Sequence, residues 1–377
     1  MGRAPGLDLL RAVAIVWVMY YHAQIMDLVP DSDPVATFGW MGVDLFFALS
    51  GYLIGFQLFR PLARGDTIDV ARFYARRALR TLPAYLVVVA LYFTVPAFRE
   101  RPAIQPLWQF LTFTENLLID FYRGKAFSHV WSLCVEEQFY LVAPFTAWWL
   151  ARRPKAWKVV AVCVAILAGG MMLRGFVWLH DLAPIRSVTD GPGNFWQRYQ
   201  ERIYYPTWMR LDGLLGGVVL ALVAAFRPAL WAALMRHANI VGAAAVVVLA
   251  LAIWLFRDQA SLAATVAGFP LLSLGMAGLV ACGAGRSGLL GRRAIPGAGA
   301  VAAMAYSLYL THKQVFHLVH VAVGGNLDDR PVVAFGVYSM TAIAVGALLY
   351  WTVERPFLLL RDRLPRTSQR APVLAEA

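Results

Sequence analysis

Charged side chains are scarce in this sequence: Asp, Glu, Lys and Arg make up 15% of its 377 residues, while 60% are hydrophobic. A soluble domain carries about a quarter charged residues, so a water-soluble globular fold is excluded. Cysteine is almost missing too. Cys134, Cys163 and Cys282 are the only three, and each falls in an apolar run. That excludes an external disulfide framework, and no Cys/His spacing reads as a zinc site. There is no low-complexity segment, no internal repeat and no appended soluble module, so one domain is expected.

What the chain has in abundance is long apolar runs. They cover 9–28, 39–59, 82–98, 130–150, 159–179, 208–226, 239–256, 262–282, 300–322 and 332–353. Runs of about twenty residues cross a hydrocarbon core of roughly 30 Å as helices. They are too long and too evenly apolar for barrel strands, and lipid cannot satisfy an open backbone. The expected fold class is all-α, a polytopic integral membrane bundle of about ten transmembrane helices. The first run is not read as a cleaved signal peptide: it opens on Asp8 and Arg11 and has no small-residue cleavage site.

A formal net charge of +12 would suit a nucleic-acid binder, but its distribution argues against one. Lys and Arg collect in alternate connections: Arg60, Arg64, Arg72, Arg76 and Arg77; Arg152, Arg153, Lys155 and Lys158; Arg227 and Arg236; Arg286, Arg292 and Arg293; and Arg355, Arg361, Arg363, Arg366 and Arg370. The connection 29–38 has no basic residue and holds Asp31 and Asp33. This positive-inside pattern puts both termini in the cytoplasm. Two connections on the opposite side are longer, 99–128 with an amphipathic stretch at Leu107–Phe121 and 180–207, and either can serve as a lid, an acceptor surface or an interfacial ornament.

Ionisable groups inside spans are costly and concentrate where function is. Arg11 and His22 lie in the first span; at about 100° and 1.5 Å per residue they return to within about 20° of one face, roughly 16 Å apart. Asp8 sits one turn before Arg11 and can pair with it. In the fourth span Glu136 and Glu137 point about 100° apart, so one can orient an imidazole and the other pair with an arginine, or both can simply bridge helices. Cys134 beside them is a buried thiol and a poor nucleophile. Arg72, Arg76 and Arg80 form an i, i+4, i+8 stripe with Arg77 alongside, suited to phosphates or to anionic lipid. His312, His317 and His320 cluster in the ninth span as packing or channel residues, and no metal is expected there.

These segments together resemble acyltransferase family 3, the integral-membrane acyltransferases that modify extracytoplasmic carbohydrates and some small molecules. The resemblance begins with Leu7-Asp8-Leu9-Leu10-Arg11-Ala12 followed by His22, the family's Arg-x10-His signature. It continues through Gly42-Val43-Asp44-Leu45-Phe46-Phe47-Ala48-Leu49-Ser50-Gly51-Tyr52-Leu53-Ile54 and Phe73-Tyr74-Ala75-Arg76-Arg77-Ala78-Leu79-Arg80 with Pro83. Next come Trp131-Ser132-Leu133-Cys134-Val135-Glu136-Glu137-Gln138-Phe139-Tyr140 and Arg210-Leu211-Asp212-Gly213-Leu214-Leu215-Gly216-Gly217. Ala305-Tyr306-Ser307-Leu308-Tyr309-Leu310-Thr311-His312 and Glu354-Arg355-Pro356 close it. Cys134, where the family more often has Ser, and Lys313 after His312 depart from the pattern.

The resemblance implies an O-acyltransferase, in the first place an O-acetyltransferase, in the cytoplasmic membrane. Residues 1–360 would form the transmembrane domain and 361–377 a short basic cytoplasmic tail, without the soluble hydrolase-like extension that some members carry. The donor would be cytoplasmic acyl-CoA, with acetyl-CoA first, and no metal. The acceptor would be a hydroxyl of an extracytoplasmic glycan, glycolipid or other glycoconjugate. His22 would act as general base or transient acyl carrier, Arg11 would sit near the donor, and Glu136 and Glu137 would tune the base. Arg72, Arg76, Arg77 and Arg80 would hold the CoA phosphates, and Ser50 and Gly51 would let helices pack closely. The alternatives are a transporter or flippase of a lipid-linked or acylated molecule, which the lack of inverted repeats weakens, and a catalytically idle scaffold.

Overall fold

In the computed structural model, residues 4–121, 124–152, 155–285, 287–323, 327 and 330–365 are described; Arg153, Arg286, Arg366 and Arg370 lie outside them. Every regular element among these residues is helical. The long ones are α1 (Pro5–Ile25), α2 (Gly42–Leu62), α3 (Val70–Thr94), α4 (Trp131–Arg152), α5 (Ala156–Val177) and α6 (Leu211–Phe226). They continue with α7 (Pro228–Arg236), α8 (Ala238–Leu255), α9 (Phe269–Ala284), α10 (Ala298–Val323), α11 (Pro331–Leu349) and α12 (Arg355–Asp362).

The expected count of ten spans is not reached on length and composition. Five helices pass: Gly39–Leu62, Ala156–Ile185, Ala238–Asp258, Ala264–Ala284 and Pro331–Asp362. A sixth is added if α6 and α7, bent by 113° at Arg227, count as one broken span. All six coincide with expected runs. The other four runs are helical as well, in α1, α3, α4 and α10, and each of these is 21 residues or longer. Arg11 and His22, the Arg72–Arg80 stripe, Glu136 and Glu137, and Lys313 with its histidines interrupt their apolar character. All four carry several polar or charged groups, which lowers their apolarity below that of a plain hydrophobic span.

α2 and α9 form the buried centre, while α5, α8 and α11 present Trp157, Val164, Met172, Val247, Trp254, Val332 and Met340 outward, as a lipid-facing surface requires. α2 and α6 lie backbone on backbone. A Cβ on Gly51 would stand 2.0 Å from the Leu214 carbonyl oxygen, and one on Gly217 2.1 Å from that of Ala48. Small residues at such a crossing let helices approach where lipid supplies no hydrophobic drive, so Gly51 has the packing role expected of it. Two ion pairs cross the same centre almost without solvent: Arg210–Asp44 at 2.7 Å and Arg174–Asp212 at 3.0 Å. Arg210 is further enclosed by the rings of Phe47, Trp131, Tyr204 and Phe269. Two aspartates and two arginines are thus neutralised in place, which burial of charge demands.

The two long connections close over one end of the bundle. The Asn116 amide donates to the Tyr205 carbonyl at 3.0 Å and to Thr207 at 2.9 Å, and the Phe121 N–H donates to Glu201 at 2.9 Å. Gln138 of α4 donates to Phe113 O at 2.6 Å and to Asn116 at 3.0 Å. At the other end α12 packs on α3. Arg72 reaches the Leu364 carbonyl, so bundle contacts run past residue 360, where the tail was expected to begin.

Candidate active site

α1 starts on Pro5, whose fixed φ suits a first helical turn, with Asp8 in that turn. Arg11 pairs loosely with Asp8, at 3.9 Å. Near the far end Tyr20 donates to Asp33 at 2.8 Å and Gln24 donates to the Pro30 carbonyl at 2.9 Å. These two tethers flank His22 and fix its side of the helix.

Arg11 and His22 share a face, as their spacing requires, but open into different cavities. Arg11 lines a cavity of about 250 Å³ with Arg77, Arg80, Arg361, Ser50 and Glu136. His22 lines a second one of about 770 Å³ under the capped end, with His129, Lys313, Lys125 and Trp196. Tyr309 of α10 lines both. Its hydroxyl donates to the His129 carbonyl at 2.5 Å and accepts from Ser132 at 2.6 Å. The ring and its hydrogen bonds form part of the partition between the two.

His22 has an imidazole partner rather than the carboxylate expected from the sequence. His22 Nδ1 lies 2.9 Å from His312 Nε2, and His312 Nδ1 lies 3.0 Å from the Leu308 carbonyl oxygen. A carbonyl only accepts, so His312 carries its hydrogen on Nδ1 and accepts at Nε2. His22 must then donate from Nδ1, which leaves the lone pair of its Nε2 for chemistry. His312 is fully buried, so the orientation is held by packing as well as by the carbonyl.

His129 completes a group of three imidazoles, with ring centres 6.1 Å from His22 and 5.3 Å from His312. It is 3% exposed, and neither ring nitrogen has a hydrogen-bond partner among the described residues. A buried polar group without a partner points to a bound molecule or water that satisfies it. Local strain helps place it. Phe127, two residues before, is a non-glycine residue at φ 61, held by its N–H to Glu100 at 3.0 Å and by stacking on Tyr92 at 4.2 Å. A bulky side chain adopts that conformation only where its surroundings enforce it.

Glu136 and Glu137 do not reach His22. Glu136 lines the Arg11 cavity and accepts from Tyr140 at 2.6 Å; both carboxylates lie in the field of Arg77 and Arg80. The arginine stripe divides. Arg77, which sits 5.3 Å over the Tyr140 ring, and Arg80 line the first cavity. Arg76 instead donates to the Arg361 carbonyl at 3.1 Å and pairs with Asp362 at 3.4 Å, as Arg72 turns to Leu364. His317 and His320 line neither cavity. Among the described residues no group of three or more His, Cys, Asp or Glu is placed to hold a metal ion. Sequence reading left His129, Tyr309 and Arg361 without roles, although the first two lie in or beside quoted motifs.

Comparison with known proteins identifies the family. O-acetyltransferase OatA of Staphylococcus aureus (strain NCTC 8325 / PS 47) is 27% identical over 375 residues, covering 93% of this chain and 57% of its own length. Peptidoglycan O-acetyltransferase OatA of Listeria monocytogenes serovar 1/2a is 28% identical over 240 residues, 59% of this chain and 34% of that protein. The chain spans little more than half the length of the Staphylococcus relative it matches. No solved structure matches it. The family model of the acyltransferase domain matches residues 5–351, nearly the whole chain, and the chain therefore belongs to acyltransferase family 3.

Proposed function

We propose that the protein is a multi-pass membrane O-acetyltransferase that moves an acetyl group from acetyl-CoA in the Arg11 cavity to a glycan hydroxyl in the His22 cavity. The observation that carries this reading is the division of one helix face between two cavities with Tyr309 in the wall of both. A thioester entering on the basic side and a hydroxyl entering under the cap have to meet near that partition.

Arg11, Arg77, Arg80 and Arg361 would face the donor phosphates, since guanidinium groups bind phosphate through charge-assisted, often bidentate contacts. His22 Nε2 takes the hydroxyl proton as the acceptor oxygen attacks the thioester carbonyl carbon. The carbon–sulfur bond then breaks, the acetyl ester forms, and CoA leaves as the thiol after receiving a proton. His129 offers an N–H or a lone pair to the acceptor hydroxyl, or its N–H to the developing oxyanion. The positive-inside charge pattern supports a reading with the basic end in the cytoplasm, in a cytoplasmic membrane, and the cap outside. The relatives are named for O-acetyl transfer, one of them on peptidoglycan, which supports a glycan acceptor.

The test is transfer of radiolabelled acetyl from acetyl-CoA to glycans by purified protein in nanodiscs. His22→Ala should lose about 10²–10⁴-fold in rate with insertion and melting temperature little changed, and His22→Gln should do no better. Near wild-type turnover by folded His22→Ala protein would remove His22 from the mechanism. Absence of any transfer by the wild type, with binding retained, would favour the transporter reading.

A further inference from the structure

The His22 cavity holds more positive charge than its one carboxylate balances. Arg101 stands exposed at its edge, Lys125 is half-buried, and Lys313 lies deep, with its side chain 14% exposed. The carboxylate is Glu100, and it is fully engaged. One oxygen receives Lys313 Nζ at 3.2 Å and the Phe127 N–H at 3.0 Å, and the other receives the Tyr92 hydroxyl at 2.7 Å. Among the described residues, no carboxylate stands within ion-pair distance of Arg101 or Lys125. Lys125 Nζ rests instead 4.1 Å over the Phe121 ring. Burial, then the charges of Arg101 and Lys313, pull this ammonium down to about 8, so the three cations lie close enough to oppose one another.

Two features say what this charge meets. The cavity wall offers flat aromatic faces, with Trp196 44% exposed and Tyr205 stacked on Trp131 at 5.2 Å, together with the amides of Asn194 and Gln197. Such surfaces suit sugar rings. Moreover, Lys and Arg are normally depleted in connections that leave the cytoplasm. On the orientation proposed above, Arg101 and Lys125 have no topological reason to be where they are.

We propose that the acceptor is an acidic glycan, with a carboxylate or phosphate group held by Arg101 and Lys125 while a hydroxyl of the same oligosaccharide faces His22. This rests on the acetyltransferase reading and narrows its substrate class. The donor phosphates remain in the other cavity, so the two basic groups serve different substrates.

The experiment compares matched oligosaccharides as acceptors with acetyl-CoA and the full chain in nanodiscs: one bearing a uronic acid, its primary amide, and one bearing a phosphate monoester. A charge-assisted contact predicts that the uronate, the phosphate ester or both exceed the amide by about tenfold or more in kcat/KM, mostly through KM. In the Arg101→Gln/Lys125→Gln double variant that ratio should collapse to within about twofold, whatever the absolute rate. Lys125 is charged below about 8 and neutral above it. The wild-type ratio should therefore decline from pH 7 to 9, and Lys125→Arg should hold it flat. Arg101, Lys313 with Glu100, His22, His129, Tyr21, Tyr204, Tyr205 and Tyr309 share the cavity, and the Lys125→Arg variant, which keeps all of them, separates the contribution of Lys125 from theirs. Equal kcat/KM for acid, phosphate and amide in the wild type would overturn the inference while leaving acetyl transfer standing. If no acceptor is acetylated, the acetyltransferase reading fails, and equilibrium binding of the same oligosaccharides decides. Tighter binding of the acid or phosphate supports an acidic-glycan site, and equal or absent binding overturns it.

Discussion

In the His22–His312 pair the direction of the hydrogen bond is set from outside, by the Leu308 carbonyl. His312 is therefore a positioning residue: it touches no reactant but decides which nitrogen of His22 is free. His312→Ala should lower kcat by about tenfold or more, toward the roughly 10⁴-fold loss that a wrong tautomer causes in a serine-protease triad. His312→Gln keeps a carbonyl oxygen that can accept from His22 and should retain more activity. Equal loss in the two variants, with a matching fall in melting temperature, would reduce His312 to packing. This differs from the reading of the sequence, where His312 is a packing or channel residue. The reason is specific. Helical phase puts Arg11 and His22 on one face of α1, but it cannot name a partner 290 residues away. The same limit made Glu136 look like the neighbour of His22, whereas α4 turns it toward Arg11 and Arg77.

At the scale of single elements, α3 shows how one basic stripe serves two tasks. A register of i, i+4, i+8 aligns Arg72, Arg76 and Arg80 along the helix, yet Arg76 is engaged by the end of α12 and Arg72 by Leu364 just beyond it. Arg77→Ala or Arg80→Ala should raise KM for acetyl-CoA by about ten- to hundredfold, the worth of a charge-assisted contact, without unfolding the protein. Arg76→Ala should leave that KM alone and lower the melting temperature slightly, since a partly exposed pair is worth about 1 kcal/mol or less. A large KM effect at Arg76 would return the whole stripe to the donor. The apolar runs were legible in the sequence and helices form at each of them. Less legible was which helices would fall short of a plain hydrophobic span, because α1, α3, α4 and α10 carry Arg11, Arg77, Arg80, Glu136 and Lys313 into the two cavities.

For the whole molecule, the alternation of basic and non-basic connections still requires a test of sidedness. Reporter fusions after Ser32 and Asp190 should read outside, and those after Arg64, Lys155 and Arg292 inside; a reversed pair would place the donor cavity on the wrong face. The cap itself was foreshadowed only as two long connections. Their stitching through Asn116 and Glu201 depends on contacts between segments some 80 residues or more apart, which no local pattern encodes.

Two cavities roomy enough for water, approaching each other from opposite ends of a membrane protein, pose an electrical problem. A cell membrane holds its potential only if ions and protons find no continuous wet path, and here Tyr309 stands where the two spaces come closest. Under the proposed transfer its ring, tied to Ser132 and to the His129 carbonyl, would have to serve as an insulating seal that lets an acetyl group pass but not a file of water. Tyr309→Gly would open that seal. Vesicles carrying the variant should dissipate a proton gradient measurably faster than vesicles with wild-type protein, in the absence of either substrate, and equal leak rates would show that the insulation lies elsewhere in the bundle.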